Sequence, residues 1–103
     1  MNSASAVIKL ASLAQDSRLA VFRLLVRRGP EGLPAGEIAA KLKIPPATLS
    51  FHLKELSHAG LLKSRQEGRY IYYFPDIKAM RSLVDYLTEN CCVESTCAPQ
   101  DCR

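Results

Sequence analysis

Residues 37–60 read EIAAKLKIPPATLSFHLKELSHAG, two amphipathic helical patterns parted by only Ile44, Pro45 and Pro46. Proline offers no backbone N–H and disfavours helix in the residue before it, so the first helix must stop here. The second starts at once, because a proline in the first turn costs a helix no hydrogen bond. A link this short makes the two helices cross as a helix-turn-helix. The first carries Ile38, Ala39 and Leu42 inward. The second, opened by Pro46 and closed by Gly60, places Leu49, Leu53 and Leu56 on one side at about 100° per residue. Its opposite arc holds Ala47, Thr48, Ser50, Phe51, Lys54 and His58. Hydroxyls bond base edges or phosphates, lysine neutralises phosphate, and an exposed Phe fits a thymine methyl, so this arc suits a major groove. Taken alone, it would serve equally well as solvated surface.

The next segment separates those readings. LLKSRQEGRYIYYF, residues 61–74, contains two β-rich runs, 61–65 and 69–74, joined by QEG. Gly68 supplies the positive φ of a tight turn. Lys63, Arg65 and Arg69 gather near the tip, and Tyr70, Ile71, Tyr72, Tyr73 and Phe74 stiffen the strands. A rigid cationic arm beside a reading helix predicts a winged helix-turn-helix, mainly α with a small β-hairpin wing. Two helices precede it. Residues 5–15 place Val7, Leu10, Ala11 and Ala14 on one face, and a second helix, capped by Asp16 or Ser17, carries a Leu19, Phe22 and Val26 stripe to Gly29 before Pro30. The loop PEGLPAG leads into the helix-turn-helix, and a fifth helix follows the wing.

The chain has 103 residues, room for one domain, read as 1–90, with a tail of 91–103. A domain this small buries a limited share of its surface, which favours sharing apolar surface with a second copy. Residues 1–75 hold 11 Lys and Arg against 5 acids, a balance of +6; residues 76–103 hold 3 against 5, a balance of −2. A basic body facing a polyanion and a tail with another task fit that asymmetry. No apolar run is long enough for a membrane span or secretory leader, so no membrane partner is expected.

SRLAVFRLL, GEIAAKL, ATLSFHLKELSHAGLL and QEGRYIYYF together resemble the ArsR/SmtB metalloregulators, small dimeric bacterial winged-helix repressors. The resemblance implies a cytoplasmic homodimer built from the first and last helices and bound to double-stranded operator DNA. It also implies that Thr48, Ser50, Phe51, His52 and Lys54 enter the major groove, while the wing, with Lys63, Arg65 and Arg69, reaches phosphates or the minor groove. Two sensing sites of this family are absent: the helix before the reading helix has no Cys-x-Cys pair, and the last helix has no His.

What remains is the tail, where Cys91, Cys92, Cys97 and Cys102 all lie within the last thirteen residues. Neighbouring Cys91 and Cys92 have α-carbons about 3.8 Å apart, below the usual disulfide span, so they are ill suited to bridging each other. The spacing CC-x4-C-x4-C, without His or Cys-x-x-Cys, departs from an ordinary structural zinc site. Soft thiolates prefer thiophilic centres. Trivalent arsenic needs three convergent sulfurs, and family members with a paired cysteine and a third near the C-terminus respond to arsenite. The expected inducer is As(III) or Sb(III) on Cys91, Cys92 and Cys97, with Cys102 the alternative third ligand and no organic cofactor. The competing readings are a zinc/cadmium sensor and a thiol-redox sensor using the same cysteines. An enzyme is not expected, because an activated cysteine wants a cationic group or a helix start beside it, whereas these thiols follow a helix end and sit among Glu89, Glu94 and Asp101.

Overall fold

The computed structural model describes residues 1–94; Cys97 and Cys102 lie outside them. The expected winged helix-turn-helix is present. Its order is α1 (Ser3–Leu13), α2 (Asp16–Arg28), β1 (Leu33–Pro34), α3 (Ala35–Leu42), α4 (Pro46–His58), β2 (Leu62–Glu67), β3 (Tyr70–Pro75) and α5 (Ile77–Thr88).

Local chemistry sets most of the boundaries. The Asn2 side chain accepts from the Ser5 N–H at 2.8 Å to open α1. Helix α2 is capped by Gln15, whose Oε1 accepts from the Arg18 N–H at 2.9 Å, rather than by Asp16 or Ser17. Asp16 instead lies in the first turn, where its charge opposes the positive helix end. Helix α3 stops at Leu42, three residues before Pro45, because Lys43 adopts a left-handed φ of 55° and Ile44 N–H turns back to the Ala39 carbonyl. The observed gap is Lys43, Ile44 and Pro45, with Pro46 already inside α4.

The three central helices bury one cluster. Val21, Phe22 and Leu25 come from α2, Ile38 from α3, and Leu49, Leu53 and Leu56 from α4, joined by Leu33, Leu61 and Leu62. The reading-helix leucines therefore face inward as the period requires. The α2 stripe is displaced: Phe22 is buried, but Val21 and Leu25 replace Leu19 and Val26 as its partners, and Leu19 is exposed. Helix α1 departs further, since Val7, Ile8 and Leu10 are exposed while Ala6 and Ser12 are buried. α5 buries only Leu83 and exposes Val84 and Leu87. Both outer helices thus present apolar faces that the single chain does not cover.

The sheet is antiparallel in the order β1-β3-β2. β1 lies in the stretch that reads as loop; its two residues pair Leu33 with Tyr73 and Pro34 with Tyr72, too short a strand to show a period. Gly32 permits this join. Its φ is 70°, and a β-carbon there would stand 2.5 Å from the Tyr73 carbonyl oxygen. Strands β2 and β3 meet around the two-residue loop Gly68–Arg69, with Gly68 at φ 61° in the first loop position, as a type II′ hairpin turn demands.

Candidate nucleic-acid interface

Burial of Leu49, Leu53 and Leu56 aims the other side of α4 at solvent, where Ala47, Thr48, Ser50, Phe51, Lys54 and His58 are exposed. Phe51 is 54% exposed, an unusual setting for a ring of its size and one that leaves it available to an apolar group such as a thymine methyl. The positive end of the α4 dipole lies beside Thr48, in the first turn. Both hydroxyls, the ring and the Lys54 ammonium therefore lie on the solvent-facing side of one helix, the element a major groove admits.

His52 is not on that face. Its side chain is 6% exposed and its Nδ1 has no hydrogen-bond partner. Burial and then the nearby Arg18 charge lower its pKa below the ordinary imidazole value. The expected base contact from His52 is thus replaced by a place beside the core. A group whose folded pKa is depressed stabilises the fold above the unfolded pKa, and that contribution is lost as pH falls below it. Denaturant midpoints should therefore drop between pH 7.5 and pH 5.5, and the drop should shrink in His52→Gln; an unchanged drop would assign the acid sensitivity elsewhere.

The wing residues, expected to cluster at its tip, are spread along it. Arg69 stands exposed in the turn itself. Lys63 sits opposite Phe74 at the base of the hairpin, 3.9 Å from Asp76, the residue that caps α5. Arg65 lies between them and is committed. Its Nη1 and Nη2 donate to the Pro30 and Glu31 carbonyls at 3.0 and 2.6 Å, its Nε donates to Glu67, and its guanidinium lies 5.3 Å from the Tyr72 ring centre and 5.5 Å from that of Phe74. A guanidinium with this many partners anchors the wing to the α2–β1 loop. The loop carbonyls are 34 and 35 residues away in sequence, so no local pattern marked them. The register makes Arg65 and Tyr72 cross-strand partners, which sets the guanidinium beside that ring.

Two variants separate these roles. Arg69→Ala should weaken binding to every duplex and lower the slope of log affinity against log salt by about 1, with no loss of stability. Arg65→Ala should cost about 1 kcal/mol of folding stability through its carbonyl hydrogen bonds. Equal salt slopes for wild type and Arg69→Ala would remove the wing tip from the interface.

The thiols lie at the opposite end of the chain's order. Cys91 and Cys92 follow α5 in a turn, where the Cys91 N–H donates to the Thr88 carbonyl at 3.1 Å and Cys92 has a left-handed φ of 61°. Their sulfurs are 3.5 Å apart and Cys91 is exposed. The two sulfurs are not bonded to each other, and Cys92 is itself disulfide-bonded, so reduction is needed before both can face one centre. Among the described residues no third Cys, His, Asp or Glu joins them.

The geometry agrees with known proteins. Residues 13–65 match a family model for a helix-turn-helix domain. The transcriptional activator HlyU of Vibrio cholerae is 29% identical over 84% of this chain and 77% of its own length. The cadmium resistance regulatory protein CadC homolog of Staphylococcus aureus is 31% identical over 72% of this chain, and the arsenic resistance regulator ArsR1 of Pseudomonas putida 34% over 59%. These two matches span 60% and 46% of the relatives' lengths, less than two thirds of either. Among solved structures, V. cholerae HlyU superposes with a TM-score of 0.68 at 32% identity, covering 84% of this chain and 94% of that one. A homodimeric winged helix-turn-helix DNA-binding domain from Mycobacterium bovis, described as a possible ArsR-family regulator, gives 0.66 at 26% identity over 84% and 80%.

Proposed function

This chain belongs to the ArsR/SmtB-type helix-turn-helix transcriptional regulators, and we propose that it is a bacterial, cytoplasmic, homodimeric repressor released from its operator when As(III) or Sb(III) binds Cys91, Cys92 and Cys97. Cys102 is the alternative third ligand. The observation that carries this reading is the placement of an adjacent cysteine pair directly after α5, the helix that leaves Val84 and Leu87 uncovered. The described helices are too short and polar to cross a membrane, in keeping with a protein that works on DNA.

A ligand shifts an equilibrium only through different affinities for two states. Here one state is a dimer whose α4 helices match adjacent half-sites, and the other is the dimer reshaped by three thiolates closing on one pyramidal ion. The last helix is the lever in this scheme, because the pair at its end and the apolar face along it move together.

A relative from cadmium resistance and a relative from arsenic resistance lie at similar identity, so the inducer must be measured. Reduced protein is bound to a fluorescent operator selected in vitro, and anisotropy is followed with arsenite, antimonite, zinc, cadmium and the oxidant diamide in parallel. Release by arsenite and antimonite at concentrations where zinc and cadmium are silent supports the proposal. Release by zinc or cadmium alone, or by diamide alone, replaces it with the metal or the redox alternative.

A further inference from the structure

Most of the body's positive charge is not on the reading face. Of the cations there, Lys54 and Arg69 are exposed without an ion pair among the described residues. A second group, Arg23, Arg27 and Arg28 on α2 with Lys41 on α3, is exposed as well. Arg23, Arg27 and Lys41 make no hydrogen bond or ion pair among the described residues, and Arg28 spends its Nε on the Gly32 carbonyl alone. At about 100° per residue, Arg23 and Arg27 stand roughly opposite the Val21, Phe22 and Leu25 face that α2 buries.

These cations line a groove. Ala20, Arg23, Leu24, Arg27 and Leu42 enclose about 250 Å³ of it, and an adjoining recess of about 230 Å³ shares Leu24 and Arg27 and adds Arg28 and Lys41. No acid lines either recess. The floor is leucine and the walls are cationic. Helices α2, α3 and α4 pack on one another around the common core, and the groove lies between α2 and α3, with Leu42 at the end of α3.

We infer that this groove docks an acidic, amphipathic segment of another protein, its carboxylates on the arginines and its apolar side chains on Leu24 and Leu42. Phosphates alone would leave the apolar floor unused, whereas a helix with leucines three and four residues apart between glutamates matches both features. Charge complementarity sets orientation and on-rate, and the leucines supply apolar burial.

The test uses full-length protein and a fluorescent 16-residue peptide of Glu and Asp with Leu at helical spacing. Binding in the micromolar range is expected, weakened about tenfold or more by Arg23→Glu with Arg27→Glu, while affinity for the selected operator stays within twofold. The reversed variant should instead gain affinity for the same peptide with Lys in place of its acids. No binding of the acidic peptide, equal binding by the reversed variant, or equal binding of a polyglutamate of the same length would overturn the proposal. Displacement of the peptide by a non-operator duplex at stoichiometric concentration would overturn it too, by making the groove a second DNA surface.

Discussion

A Cys91→Ser or Cys92→Ser protein is expected to hold its operator as tightly as wild type and to stay on it at arsenite concentrations about 100-fold above those that release wild type. Both residues lie after α5 and far in sequence from α4, so exchanging sulfur for oxygen leaves the reading face untouched. It removes one of the three sulfurs that a pyramidal ion requires, and a hard hydroxyl is a poor substitute for a soft thiolate. Cys97→Ser should behave in the same way, whereas Cys102→Ser should keep most of the response. The measurement is operator anisotropy against arsenite for all four variants under reductant. A normal response from Cys97→Ser with none from Cys102→Ser would exchange the third ligand; a normal response when Cys91 and Cys92 are both serine would move the sensor out of the tail.

The second large effect is expected from Val84→Glu with Leu87→Glu on α5. Exposed apolar residues on α1 and α5, Val7, Ile8, Leu10, Val84 and Leu87, are more than a lone domain of this size normally leaves uncovered. In the proposed homodimer they bury one another, each large aliphatic side chain contributing about 1.5–3 kcal/mol. Two carboxylates on that surface would have to be desolvated against apolar neighbours, so the dimer should give way to monomer. Operator affinity should then fall by about 100-fold or more, because each monomer reads one half-site without the effective concentration its tethered twin provides. Sedimentation velocity with anisotropy checks both parts. A variant that remains dimeric and binds normally would place the interface elsewhere, and the stability of the monomer itself should change little because both side chains are already exposed.

The helix-turn-helix and wing were legible because their signals are local. Pro45 and Pro46 end one helix and open another whatever surrounds them, Gly68 permits the hairpin turn, and the spacing of Leu49, Leu53 and Leu56 puts three leucines on one side of α4. The same projection sets His52 about 40° from Leu56, at the margin of the buried side, so its burial was readable before any family resemblance assigned it to DNA. The outward residues Thr48, Ser50, Phe51 and Lys54 followed from the inward ones.

Periodicity says which residues share a face and is silent on what that face meets. Val7 and Leu10 form a helical stripe, yet in the single chain nothing lies across from them, and Leu19 loses its place in the core to Val21 and Leu25 because α4 approaches α2 from their side. Arg65 reads as one more cation on a basic arm until packing brings the Pro30 and Glu31 carbonyls to it. The composition of the chain determined that it would be basic, small and thiol-tailed. Which cations are bound and which are free is set by contacts between segments tens of residues apart, and only the tertiary structure decides those.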